Sequence, residues 1–96
     1  SAGDGHAAQG DGEVSGTAIE TPATARLMLD VRDDLSLDWP AARIDGAWLT
    51  FGFDPHLGRA ARIAVAGMLA LLEREHGLTG ADALALASVV VDLRVT

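Results

Sequence analysis

Three features of the sequence, taken in order, predict an α+β chain. Apolar and polar residues alternate over Thr24–Arg32, Asp45-Gly46 separates two short apolar runs, and a long helical apolar pattern occupies residues 55–76. Strict alternation marks a half-buried strand, Asp-Gly between β-formers marks a hairpin, and a 3.6-residue apolar period marks a helix. Strands and a hairpin followed by two helices are the hallmark of the α+β class. The chain reads as one partial domain: a Gly/Asp-rich loop over 1–12, β-strands over 13–54, and a helical segment over 55–96 with a terminal strand.

The elements follow from residue chemistry. Residues 1–12 carry Gly3, Gly5, Gly10 and Gly12 beside Asp4 and Asp11, with no large apolar side chain. Such a stretch loses much backbone entropy when ordered, so it reads as a flexible tail or as a tight loop pinned by a ligand. Val14, Thr17 and Ile19 favour strand, and Pro22 ends that stretch. In the next strand Ala25, Leu27, Leu29 and Val31 share one face, and Thr24, Arg26, Asp30 and Arg32 the other. Asp33-Asp34 forms a turn, and Trp39 is extended because Pro40 disfavours helix before it.

Asp54 as N-cap and Pro55 at the first helical position open the long helix, and Gly77 closes it in a left-handed C-cap. Its polar stripe, around Arg59, Arg62, Glu73 and Arg74, is narrow, so most of its surface needs cover. Thr79 with Asp82 starts a second helix over about Gly80–Val90, and Val91–Thr96 alternates again as a terminal strand.

Composition narrows the functional classes. The 96 residues carry 14 acids against 7 basic side chains, all arginine, for a net charge of −7. Nucleic-acid binding draws on clustered cations, and none exist here; a cation or a small neutral substrate suits the charge better. With no cysteine, disulfides and thiolate metal sites are excluded. No apolar run reaches the roughly 20 residues of a membrane helix, and no secretory signal opens the chain, so a soluble cytoplasmic protein is expected. The absence of an initiator methionine fits a processed or excised segment.

Standard motifs fail on the glycine loop. A phosphate-binding P-loop needs a lysine, and there is none. Gly10, Gly12 and Gly16 miss the dinucleotide spacing by one residue, and the oxygen spacing of an EF-hand is not met. Ser15 lies three residues after Gly12, not two, so it is no nucleophile elbow. What remains is Asp4, His6, Asp11 and Glu13, with glycines that allow the backbone to bend them together. Carboxylates with an imidazole suit zinc or a similar divalent ion, which would offset their repulsion. The competing reading is a disordered acidic loop. Elsewhere blander roles suffice: His56 is an exposed first-turn residue, and His76 complements the helix dipole. Trp39 and Trp48 belong to the core, and Glu20 and Asp92 are solvated.

The block Gly3-Asp4-Gly5-His6-Ala7-Ala8-Gln9-Gly10-Asp11-Gly12-Glu13, continued by Ser15-Gly16-Thr17-Ala18-Ile19-Glu20, resembles the signature of the acetamidase/formamidase family. The similarity extends through Trp48–Asp54, Leu86-Ala87-Ser88 and Asp92–Thr96. The resemblance implies hydrolysis of short amides such as formamide or acetamide to the acid and ammonia. It further implies a zinc ion, with calcium as a second option, a β-rich fold and a homodimer or larger homo-oligomer. Asp4 and His6 match metal positions, and Asp11, Glu13 and Gln9 match catalytic ones. Zinc would polarise the amide carbonyl and activate water. Glu13 would relay the water's proton to the leaving nitrogen, and Gln9 or a glycine N–H would hold the oxyanion. Members of the family are considerably longer, so the chain is expected to be a central to C-terminal portion that associates with the rest of the protein. A second function class, a non-catalytic oligomerising module, follows from the apolar helix over 55–76 packing on its own copy.

Overall fold

The computed structural model describes residues 5–96. Its elements are β1 (His6–Ala8), β2 (Ile19–Glu20), β3 (Ala41–Ile44), β4 (Ala47–Thr50), α1 (Leu57–His76) and α2 (Gly80–Val90). Strands precede helices, as the sequence predicts, and the class is α+β. β1 pairs with β2 and β3 with β4, each pair antiparallel. The chain divides into two compact units, one formed by the residues up to Arg32 with Leu93–Thr96, the other by Asp33–Asp92. Among the described residues, no helix is long and apolar enough to cross a membrane.

In the second unit the hairpin forms where Asp45-Gly46 places it. Both turn residues have positive φ, 51° at Asp45 and 84° at Gly46, which matches the right-handed twist of the flanking strands. The register sets Ile44 opposite Ala47 and Arg43 opposite Trp48. The Arg43 guanidinium lies 5.5 Å from the Trp48 ring centroid, so the cross-strand pair is a cation–π contact. Trp39 and Phe53 approach to 6.1 Å between centroids, and Phe53 stacks with Phe51 at 6.2 Å. Trp48 is half-buried, whereas Trp39 stays exposed at the edge of this aromatic group.

The hairpin leads into α1, which packs against both β4 and α2. Thr50 donates from Oγ1 to the Ala64 carbonyl at 2.8 Å. A Cβ on Gly67 would lie 3.5 Å from the Thr50 Cβ, so glycine lets the threonine settle on the helix. The core of the unit sits between the helices. Leu71, Leu72, Ala83 and Ala87 are buried, with Met68, Leu69, Leu78 and Val91 packed around Leu72, Ala83 and Ala87. Ala83 and Ala87 stand four residues apart on one face of α2, and their small size brings the helices together. Leu72 closes the space they leave. Burying a leucine of this kind contributes about 1.5–3 kcal/mol.

Three expectations need correction. Asp54 is not the N-cap of α1; its Oδ1 accepts from the His56 N–H at 2.8 Å. This local turn keeps His56 extended (φ −101°, ψ 113°), so the helix begins only at Leu57, with His56 at the N-cap and no side-chain cap bond. The C-terminal end holds: Gly77 has φ 63°, and its N–H bonds the Glu73 carbonyl. Thr79 likewise caps α2, accepting from the Asp82 N–H. Second, Thr24–Arg32 forms no strand. The alternation is present, but a strand needs a neighbour for its N–H and C=O groups, and Pro22 interrupts the ladder that runs from β2. Third, Val91–Thr96 is not a strand either; Val91 ends α2 with its N–H on the Ala87 carbonyl, and the residues beyond it pair with no strand among the described residues.

Candidate functional site

From Gly5 onward the glycine-rich stretch forms a ribbon with the residues around β2. β1 and β2 are short because the chain between them is rich in glycine and turn formers. Their register sets His6 opposite Glu20 and Ala8 opposite Ile19, with an irregularity between. The Thr21 N–H extends the ladder to the Gly5 carbonyl at 2.9 Å. A Cβ on Gly5 would come within 2.7 Å of the Thr21 carbonyl oxygen and 2.6 Å of the Ala23 Cβ, so only glycine permits this approach. Beyond β1 the chain reverses: the Glu13 N–H donates to the Gly10 carbonyl at 3.1 Å, with Asp11 and Gly12 at the corners. Gly16 has φ 76°, and around it the Ser15 and Thr17 hydroxyls share a 2.7 Å hydrogen bond.

This geometry distributes the residues singled out by the sequence. His6 and Gln9 are brought together, with 2.8 Å between Nδ1 and Oε1. The amide oxygen only accepts, so Nδ1 carries the proton and a neutral imidazole keeps its lone pair on Nε2. A histidine held in this way is the arrangement that metal-binding imidazoles use, with the second nitrogen anchored by an acceptor. Glu13 is half-buried, and its Oε1 is shut off from water without a hydrogen-bond partner. An acceptor left in that condition costs about 1–3 kcal/mol, and a cation or a proton donor would recover it. Gln9 and Glu13 both line an open depression of about 750 Å³, together with Ser15 and Thr17.

Asp11 turns elsewhere. Its Oδ2 lies 3.8 Å from the Arg94 Nη1, a solvent-exposed pair of little energetic weight. Arg94 had no signal in the sequence to mark it, because the approach joins residues from opposite ends of the chain. Glu20, expected to be merely solvated, stands across the ribbon from His6. Asp4 lies outside the described residues. Among the described residues no three of His, Asp and Glu converge on one point. A catalytic zinc takes three protein ligands and keeps one open position. An imidazole nitrogen and an unpartnered carboxylate oxygen are of the types that ligate a divalent ion.

No family model, curated protein or solved structure matches the chain.

Proposed function

We propose that the ribbon over residues 5–20 carries part of a metal-dependent site that hydrolyses short linear amides to the carboxylic acid and ammonia. The observation behind this reading is the conjunction of His6, anchored through Nδ1 by Gln9, with the unpartnered Glu13 Oε1 in the motif that resembles the acetamidase/formamidase signature. His6 and Asp4 are the proposed ligands of zinc, or of calcium in its place. The metal would supply Lewis-acid polarisation of the amide carbonyl.

The chain's own residues account for the remaining steps. Glu13 is the base that takes a proton from the attacking water and delivers it to the leaving nitrogen. Gln9 directs its oxygen to His6, which leaves its NH₂ group as a donor for the developing oxyanion. Asp11 is assigned to the site on the motif alone. A place within a larger β-rich acetamidase-like fold, a homo-oligomeric state and a cytoplasmic location belong to the same proposal.

The test is ammonia release from formamide and acetamide, with and without zinc, alongside elemental analysis of the purified protein. The expected result is a stoichiometric divalent ion that is lost with His6→Ala, and release that depends on it. No retained ion, and no ammonia from either amide with zinc added, would overturn the reading.

A further inference from the structure

Asp-Gly occurs three times in the chain, at Asp4-Gly5, Asp11-Gly12 and Asp45-Gly46. The dipeptide is chemically labile. The backbone nitrogen of the glycine attacks the aspartyl side-chain carbon Cγ, and glycine offers no side chain to obstruct the approach. Asp4 lies outside the described residues, so the comparison is between the other two. Both stand in exposed turns, and among the described residues a Cβ on Gly12 or Gly46 meets nothing within 4 Å. Space therefore does not separate them; the backbone does.

Ring closure needs rotation about the Cα–C bond of the aspartate, which carries the glycine nitrogen into line with Cβ. At Asp45 that bond lies inside a two-residue hairpin loop. Ile44 and Ala47 are paired on either side of it, and the register continues through Arg43–Trp48, Ala42–Leu49 and Ala41–Thr50. Positive φ at both turn residues, 51° and 84°, is the geometry the twist of the strands requires, so rotation there breaks the adjoining ladder. β4 is in turn tied to α1 by the Thr50 hydroxyl on the Ala64 carbonyl. The turn at Asp11 is closed more lightly, by the Glu13 N–H on the Gly10 carbonyl at 3.1 Å. Nor is the Asp11 carboxylate fixed: Arg94 approaches it only to 3.8 Å with 80% of its side chain exposed, and such a pair contributes little.

We infer that Asp11-Gly12 is a site of spontaneous isoaspartate formation, and that the folded hairpin protects Asp45-Gly46 from the same reaction. The Gly12 nitrogen bonds to the Asp11 Cγ while a Cγ–O bond breaks, and the amide proton leaves with the carboxyl hydroxyl as water. The product is a cyclic succinimide. Water then adds to one of its two carbonyls, the C–N bond there breaks, and the nitrogen regains its proton. Opening at Cγ restores aspartate. Opening at the Asp11 main-chain carbonyl leaves isoaspartate, whose peptide bond runs through Cβ and Cγ beside a free α-carboxylate. Water is the only other reactant. The chain gains a backbone carbon between Gly10 and Glu13, so the turn that joins them is lost and Gln9 and Glu13 are re-spaced. The reaction requires neither a bound metal nor amide turnover.

Warm incubation of the full chain at neutral pH, followed by tryptic mapping, tests both halves of the inference. Cleavage after Arg26, Arg43 and Arg59 puts Asp11 in the peptide 1–26 and Asp45 in the peptide 44–59. Electron-transfer fragmentation tells isoaspartate from aspartate residue by residue, which also separates Asp11 from Asp4. In the folded protein isoaspartate should form at Asp11 about tenfold faster than at Asp45, the factor expected when the ring is reached only by breaking a further ladder hydrogen bond. In denaturant the two rates should converge, because the dipeptides are identical and the ladder is gone. Asp11→Glu, whose longer side chain closes a ring less readily, and Gly12→Ala, at an open position, should each suppress the product at this turn. Far-ultraviolet circular dichroism verifies that the helices persist in both variants. Equal rates at Asp11 and Asp45 in the folded protein overturn the inference. Isoaspartate that appears at Asp11 only in the denatured chain overturns it equally, because the folded turn would then be protective.

Discussion

The His6 Nδ1 stands 2.8 Å from the Gln9 Oε1, three residues further along the chain, so the turn after β1 sets the tautomer of the imidazole. The pair is solvent-exposed, and its effect on the fold's stability is correspondingly small. Its effect on metal binding is not small, because outer-sphere partners of ligating histidines typically govern affinity by 10–100-fold. Gln9→Ala should therefore weaken zinc binding by about tenfold or more while leaving the thermal midpoint nearly unchanged. Titration calorimetry reads the affinity, and nitrogen chemical shifts of the His6 ring report the loss of the Nδ1–H tautomer. Unchanged affinity with the tautomer randomised would separate His6 from the metal.

Glu13→Gln tests the unpartnered carboxylate oxygen. The substitution keeps shape and removes charge, so in metal-free protein it should be neutral or mildly stabilising, by up to about 1 kcal/mol, because a neutral group is cheaper to leave dry. Amide hydrolysis should fall by about 10²-fold or more, since a carboxamide accepts no proton from water. A stability loss with full activity would show that Glu13 supports the ribbon and takes no part in the chemistry.

The sequence announces features whose causes are local. Asp45-Gly46 specifies its turn through two positive φ values, Gly77 its left-handed cap, and Thr79 its bond to the Asp82 N–H. Each depends on residues within three or four positions. The failures come from pairing at a distance. Thr24–Arg32 has strand periodicity, yet periodicity says only which face a strand would bury and nothing about whether a neighbour exists. The Asp11–Arg94 approach and the His6–Glu20 register join residues remote in sequence, so no spacing rule reaches them. At Asp54 two local solutions compete. An N-cap and a turn to the His56 N–H use the same carboxylate, and the turn wins. In the site, the motif names the residue types, while the described geometry joins only His6 with Gln9 and leaves Glu13 Oε1 alone.

Ala83→Leu should disrupt the helix pair. Ala83 is fully buried between α1 and α2, in contact with the cluster around Leu72. Three additional carbons have no space there unless the helices separate, and overpacking of this kind costs about 1–3 kcal/mol. Ala85→Leu, on an exposed position of the same helix, should be nearly neutral. Thermal melts followed by circular dichroism compare the two, and equal midpoints would mean that the helices do not pack through Ala83.

Gly52 and Gly77 are both required, for different physical reasons, and alanine at each should separate those reasons by magnitude. At Gly77 the surroundings are open, and the obstacle is the backbone itself, at φ 63°. A residue with a Cβ pays about 1–2 kcal/mol to stay in the left-handed region, partly offset by the lower entropy of the unfolded chain. At Gly52 the obstacle is α1. A Cβ there would collide with the Ala60 carbonyl oxygen and reach within 2.7 Å of the Ala64 nitrogen. Both are backbone atoms in the helix ladder, so no rotamer change relieves the clash, and β4 must withdraw from α1. That motion also stretches the Thr50–Ala64 hydrogen bond, two residues away. Gly52→Ala should therefore cost more than Gly77→Ala, at or beyond the roughly 3 kcal/mol upper end of overpacking penalties. For a chain of this size each kcal/mol lowers the midpoint by about 4–8 °C, so the two variants differ measurably in one melting experiment. The order Gly52→Ala below Gly77→Ala below wild type is the expected result. Equal midpoints for Gly52→Ala and wild type would mean that β4 does not rest on the Ala60–Ala64 turn.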